Sequence, residues 1–334
     1  MIRRLVLLAG VGIAGGLVVT ELGARLWFAD GVALGISWGV RDDDIEGRAD
    51  NVARTVHGTF TYDENGFRLS SGLPYDQSIL FVGDSFTQGF GVGDDDTFAR
   101  ATERALRRDG LMVRSLNAGH RGFGAAQELK VLRRVLARIR VDGIVMQSFP
   151  MNDLSDNLAY GGFGIENGRL IEHETPKPPW RAWWAGVIGK SWLQNLYIVR
   201  LLANRMFAGV GPAPYDAPES FDLERALLNE IVSTAREHEL PIIVLVIPTK
   251  LVQQVQRAGR SLGPVEAGEV RRFERVRALL QDAGVPYVDA GEVIPDLAED
   301  AAKADGAHFS VEGNRLIGEA LAQKLEPLLR AAQP

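Results

Sequence analysis

The 334-residue chain is 46% apolar and 24% charged, carries a formal net charge of -6 and contains no cysteine. Ordinary globular proportions exclude a disordered or collagen-like chain, and the absence of any Lys/Arg-rich run removes the electrostatic footprint of a nucleic-acid binder. Without cysteine, disulfides, thiolate catalysis and Cys-based zinc or iron-sulfur sites are excluded together.

Arg3 and Arg4 precede the uncharged stretch "LVLLAGVGIAGGLVVT", residues 5 to 20. Its length lies between a signal-peptide core and the roughly 20 residues that span a bilayer. Trp27 and Phe28 follow, suited to a membrane interface. The small-x-small cleavage pattern is poor, because Leu22 stands two residues before Ala24 and Trp27 two before Ala29. Residues 1–29 are therefore expected to form an uncleaved membrane anchor rather than a cleaved signal, with the remainder on the extracytoplasmic, periplasmic face. Residues 30–76 read as an extension packing on a catalytic domain over 77–332. Within "TFTYDENGFRLS", residues 59 to 70, Asn65-Gly66 is a hairpin turn signal.

From residue 78 short apolar runs alternate with helical patterns. "SILFVG" (78 to 83), "MVRSLN" (112 to 117), "GIVMQSF" (143 to 149), "PIIVLVIP" (241 to 248) and "PYVDA" (286 to 290) read as buried parallel strands. Between them, "DTFARATERALRRDG", "AAQELKVLRRVLARIRVDG", "FDLERALLNEIVSTAREHEL" and "EVRRFERVRALLQDAG" carry apolar residues at helical spacing. A last helix is expected from about 311 to 330, with Ser310 as its N-cap. Strand alternating with helix implies right-handed crossovers and a doubly wound α/β layer sandwich with a five-stranded parallel sheet. Residues 154–218 are too long for an ordinary connection. They contain Trp180, Trp183, Trp184 and Trp192 and are read as an insertion: a cap over the site or a small packed core of its own.

The turn after the first of these strands, "LFVGDSFTQGFGVG" (80 to 93), admits two chemistries. A phosphate cradle requires GxxxxGK[ST] or GxGxxG, and neither is present. The consecutive Asp94, Asp95 and Asp96 would repel a polyphosphate and suit a solvated loop and the N-cap of the helix starting near Thr97. A nucleophile is the other reading, because Ser85 sits just past a strand's carboxyl end, where open α/β sheets gather ligands. The GxSxG elbow is not met, since Thr87 stands two residues on. A serine nucleophile needs a base, an orienting carboxylate and oxyanion donors. Of the histidines, His57, His173 and His238 read as surface residues and His120 as a loop residue. His308 lies on the loop between the last strand and last helix, with Asp305 three residues before it, where one turn folds the carboxylate onto the imidazole.

Four blocks stand in order on successive strand ends: "GDSF" (83 to 86), "NAGHRG" (117 to 122), "MND" (151 to 153) and "DGAH" (305 to 308). With them the chain resembles the SGNH/GDSL hydrolase superfamily over roughly residues 78 to 330. "DENGFR" (63 to 68) together with the N-terminal anchor is similar to a bacterial membrane-anchored subgroup. The resemblance implies a flavodoxin-like α/β/α fold, with Ser85 as nucleophile, His308 as base and Asp305 as its orienting partner. It implies an oxyanion hole built from the Ser85 and Gly119 N–H groups and the Asn152 side-chain amide. One departure is Pro150, where the asparagine block usually begins with glycine. The expected activity is acyl-ester hydrolysis on exported or envelope esters, without a cofactor or metal. Acyl transfer to or from an extracytoplasmic polysaccharide is the alternative, and a catalytically silent binding module a third.

Overall fold

The computed structural model describes residues 58–160, 162–173, 218–258, 263–304 and 306–332, with 52–55 and several positions between 12 and 23. The chain divides into two compact units, Met1–Val40 with Pro176–Gly211 and Arg41–Thr175 with Pro212–Pro334. In the first unit the described positions between 12 and 23 are helical. No helix among the described residues is long and apolar enough to cross a membrane, so the anchor expected over 1–29 finds no support there. Most of that segment, and the four tryptophans of the expected cap, lie outside the described residues.

The second unit opens with an antiparallel pair, β1 (Val52–Thr55) and β2 (Gly58–Thr61). Just beyond it the chain reverses at Asn65-Gly66, and Tyr62 and Arg68 bridge across the turn. Asp63 drives the reversal by accepting the Asn65 and Phe67 amides at 2.9 and 3.0 Å. Gly66 turns with φ 78°, a conformation that costs glycine nothing.

The main sheet begins with β3 (Gln77–Val82), which runs into a one-turn helix α1 (Ser85–Gln88) and then α2 (Phe98–Arg108). Next come β4 (Val113–Asn117), α3 (Ala125–Leu136), β5 (Gly143–Ser148) and α4 (Asp153–Tyr160). A small antiparallel hairpin, β6 (Phe163–Glu166) with β7 (Arg169–Glu172), occupies the start of the insertion and carries no strong sequence signal. The chain continues through α5 (Pro218–Glu237), β8 (Ile242–Val246), α6 (Lys250–Ala258) and α7 (Pro264–Asp282). It finishes with β9 (Tyr287–Asp289), α8 (Ala290–Val293), α9 (Leu297–Ala304) and α10 (Val311–Ala331). Ser310 caps α10 as expected, accepting the Gly313 amide at 3.1 Å. The aspartates at 94–96 form a 3-10 turn instead of the cap of α2, and Thr97 takes that role.

All five predicted strands pair in parallel in the order β4-β3-β5-β8-β9. Counting these strands along the chain, the order is 2-1-3-4-5, the doubly wound flavodoxin-like arrangement. Both faces of the sheet are covered. Leu80, Val82, Ile144 and Met146 meet α3, α5 and α7 through Leu129, Leu132, Leu227, Ile231 and Phe273. Ile79, Phe81, Val145 and Leu245 meet α2 and α10 through Phe98, Leu106, Ile317 and Leu321. Alternate residues of each strand therefore face opposite layers, which is why the strands read as continuous apolar runs.

The open edge at β4 is protected. Arg68 donates its backbone N–H to Asn117 O at 2.9 Å, and Ser115 donates its N–H to buried Glu103 Oε2 at 3.1 Å. Unpaired edge groups invite strand addition, and these partners remove them.

Helices α2 and α10 touch at Gly318. A Cβ there would lie 2.4 Å from Ala101 Cβ and 2.8 Å from the Thr102 backbone nitrogen. Gly318→Ala gains roughly 1 kcal/mol of helix preference but forces two packed helices apart at a cost of about 1–3 kcal/mol. A net fall in Tm by thermal denaturation is expected, and a rise would mean that the interface yields without penalty.

Candidate active site

Because β3 lies between β4 and β5, successive connections leave it on opposite sides, and the loops after β3 and β5 diverge over a crevice at their carboxyl ends. Ser85 follows β3 in that crevice and Asn152 follows β5. Gly83 allows the turn to close, since a Cβ there would lie 2.0 Å from Thr87 Oγ1 and 2.6 Å from Gln147 Oε1. Gln147 Oε1 accepts the Asp84 amide at 2.8 Å, and Asp84 Oδ1 accepts the Phe86 amide at 2.8 Å, capping α1. The turn is therefore fixed from below and from within, and Ser85 is presented half-buried as the first residue of α1. As that first residue, its N–H has no acceptor inside the helix.

His308 arrives from the far end of the chain, with its Nε2 2.8 Å from Ser85 Oγ across 223 positions of sequence. Asp300 on α9 positions that loop by accepting both the N–H (3.0 Å) and the hydroxyl of Ser310. Lys250 Nζ donates to Gly306 O on the other side. Phe86 and Phe90 pack on the imidazole with ring centroids 4.8 and 5.0 Å away. Asp305 lies outside the described residues.

Asn152 Nδ2 lies 3.4 Å from Asp84 Oδ2, which places the amide beside the turn that carries Ser85. Gly119 also borders the turn, and its N–H donates to Asn117 Oδ1 at 3.0 Å. Glycine is required at 119 by close packing, because a Cβ would lie 2.3 Å from the Gln88 backbone nitrogen and 2.5 Å from the Thr87 carbonyl carbon. His120 is buried and stacks on Phe123 at 4.7 Å, which makes it a packing residue of the loop. His173 and His238 are exposed, and His57 lies outside the described residues.

Four carboxyl groups are buried beside this turn: Asp84 and Asp153, which stand within the GDSF and MND blocks without an assigned role, and Glu128 and Glu224, which lie outside the blocks. Burial pushes Asp84 from the usual 3.8 up to about 6, against the opposing pull of the Phe86 amide, His308, Asn152 and Gln147. Burial likewise lifts Glu224 from 4.5 to about 7, partly offset by a hydrogen bond from Asn157. Glu128 and Asp153 are raised well above the carboxylate range, by burial first and then by the neighbouring acids. Neither oxygen of Glu128 has a hydrogen-bond partner. Such a group of like charges out of water cannot be fully ionised, so the cluster holds protons at neutral pH. Among the described residues no group of His, Asp or Glu side chains has metal-holding geometry. A sequence signal existed: Glu128 and Glu224 occupy the apolar stripes of α3 and α5, four residues from Leu132 and Leu228.

A hydroxyl held against an imidazole at the switch point of a parallel sheet, with amide donors alongside, defines a serine hydrolase type of site. The sequence pattern of the GDSL-like lipase/acylhydrolase family matches residues 81–316. The chain belongs to that family and is an ester hydrolase. Among solved structures it is similar to an acetylxylan esterase from Geobacillus stearothermophilus, at 15% identity over 75% of this chain and 94% of that one, with a TM-score of 0.42. It is also similar to a carbohydrate acetylesterase from Sinorhizobium meliloti (16% identity, 76% of this chain and 100% of that one, TM-score 0.42). An aryl esterase from M. smegmatis aligns at 16% identity over 76% of this chain and 100% of its own, with a TM-score of 0.39. A search among curated proteins finds no match.

The buried acids give stability a definite pH dependence. Their folded values lie above their unfolded ones, so their contribution is complete below the unfolded values and is lost as pH rises through about 6 and about 7. Glu128→Gln replaces one of these titrating groups by a neutral amide that cannot ionise. Its stability relative to wild type, read from Tm at each pH, is expected to climb as pH goes from about 5 to about 8, by an amount on the order of 1–3 kcal/mol. Parallel Tm curves for the two proteins would contradict a proton-holding cluster.

Proposed function

We propose that this ester hydrolase works through an acyl-serine intermediate on Ser85, on ester substrates outside the cytoplasm. The observation that carries the reading is the 2.8 Å contact between Ser85 Oγ and His308 Nε2. Ser85 Oγ attacks the ester carbonyl while His308 Nε2 takes the hydroxyl proton. The tetrahedral oxyanion is received by the Ser85 N–H, the Asn152 amide and the Gly119 N–H, the last exchanging Asn117 Oδ1 for the substrate oxygen. His308 then returns the proton to the departing alcohol, leaving the acyl group on Ser85. Water, deprotonated by the same imidazole, releases the acid and restores the serine. Asp305 orients His308 in this scheme, by its place in the Asp-x-x-His block.

Export is supported by Arg3 and Arg4 followed by the apolar stretch of residues 5 to 20. In the same reading residues 1–29 tether the enzyme to the membrane and 30–76 extend the catalytic domain, while the insertion of 154–218 is either a cap or a small packed core of its own.

Fluorophosphonate labelling combined with nitrophenyl-ester turnover tests the mechanism. Ser85→Ala is expected to lose both signals, and labelling that persists in this variant would remove Ser85 as nucleophile. Asn152→Ala is expected to lower kcat about 100- to 1,000-fold with a small change in KM, as for loss of one oxyanion donor.

A further inference from the structure

The 58–68 segment is bound to the loop after the nucleophile by a set of contacts far denser than a surface hairpin requires. Arg68 is almost completely buried. Its guanidinium donates to three successive-turn carbonyls, those of Gln88, Gly89 (2.8 Å) and Val92 (2.7 Å), and its Nε pairs with Asp94 Oδ1 at 2.8 Å. Asp94 Oδ1 also accepts the Thr61 amide at 3.1 Å, so the counter-ion is itself tied to β2. Gln88 is held at both ends of its amide: Nε2 donates to Tyr62 Oη at 2.7 Å and Oε1 accepts the Arg121 N–H at 3.2 Å. Gly89 is the only residue type that fits, because it turns with φ 75° and a Cβ would lie 2.6 Å from Arg68 Nη1.

What this clamp holds is Phe90. Its ring is buried in a small cluster with Phe60 and Tyr62, 6.2 Å from the Phe60 centroid, while another part of it packs on the His308 imidazole. The guanidinium of Arg68 lies 4.4 Å over the Phe60 ring, closing the cluster from behind. A continuous path of contacts thus runs from Arg68 and Tyr62 through the 88–92 loop to the base.

Building on the Ser85–His308 reading above, we propose that Phe90 is a positioning residue for His308, and that Arg68 acts through it by fixing the loop on which it stands. Phe86 stands on α1 and Phe90 on the loop that leaves it, its N–H donating to Ser85 O at 3.0 Å, so the second ring ties the imidazole to the loop that Arg68 holds. An imidazole free to swing by even 1 Å loses the in-line contact with Ser85 Oγ, an error that costs up to about 100-fold in rate. A buried guanidinium is expensive to keep, and its five donors in a planar fork suit this multiple carbonyl contact in a way lysine cannot reproduce.

The test uses the full chain and two readouts, the second-order rate of fluorophosphonate labelling and the kcat and KM of a short nitrophenyl ester. Phe90→Leu keeps apolar volume and loses the planar ring. It is expected to lower both labelling rate and kcat about 10- to 100-fold with KM within about threefold, and Phe90→Tyr is expected to recover most of the loss. Arg68→Lys should show the same pattern, and the double variant Arg68→Lys/Phe90→Leu should lose no more than the worse single, since the two act in series. Tm measured in parallel confirms that each variant is folded. Folded single variants that label and turn over within about twofold of wild type, while Ser85→Ala does not label, would overturn the positioning role and leave the nucleophile assignment standing. Additive losses in the double variant would overturn the claim that Arg68 acts through Phe90. Labelling of Ser85→Ala at the wild-type rate would overturn the catalytic reading and this inference with it.

Discussion

The placement of β3 between β4 and β5 governs the rest of the molecule. The connection after β3 leads to β4 on one side and the connection after β5 leads to β8 on the other, so the two loops diverge and leave a crevice at the carboxyl ends of these strands. Every group assembled at the site comes to that edge: Ser85 directly after β3, Gly119 after β4, Asn152 after β5 and His308 after β9. The helical layers serve this arrangement by sealing both faces. Gly119 lets its loop approach the backbone of α1, and Gly83 lets the turn close on the Thr87 and Gln147 side chains, at distances that no Cβ permits.

Much of this was legible in the sequence, for a physical reason. Strands buried on both faces must be apolar at every position, so "IIVLV" and "SILFV" announce themselves, and the motif blocks fall at their ends. The cap of α10 was legible too, because a serine before a helical pattern has one well-defined use. What was not legible depends on long-range partners. Asp94 reads as one of three solvated acids, yet it is the counter-ion of a buried arginine 26 residues earlier. The hairpin of β6 and β7 is short and polar, with a burial pattern too weak to stand out. The acids at 128 and 224 were visible as misfits on apolar faces. Their meaning required seeing that four such misfits converge.

Two kinds of buried charge flank the nucleophile turn and are handled in opposite ways. The Arg68 guanidinium cannot shed its proton, so the fold surrounds it with carbonyl oxygens and one carboxylate. The carboxyls of Glu128, Asp153 and Glu224 can be neutralised, and the fold leaves several of their oxygens without protein donors. Asp84 stands between these regimes: it caps α1, contacts Asn152 and feels both the acids and His308. The turn is thus anchored by a fixed charge on one side and rests on a titratable bed on the other.

Ser85, the three strands β3, β4 and β5 and the neighbouring Gly119 and Asn152 are all encoded before residue 160, whereas β8, β9 and the imidazole come after it, His308 on the loop that leads into α10. That loop is held by Asp300, by Lys250 and by the seating of α10 on α2 at Gly318. The 2.8 Å contact of Ser85 with His308 therefore depends on the seating of the carboxyl-terminal helix, and a fault at the α2–α10 interface reaches the site as well as the fold's stability.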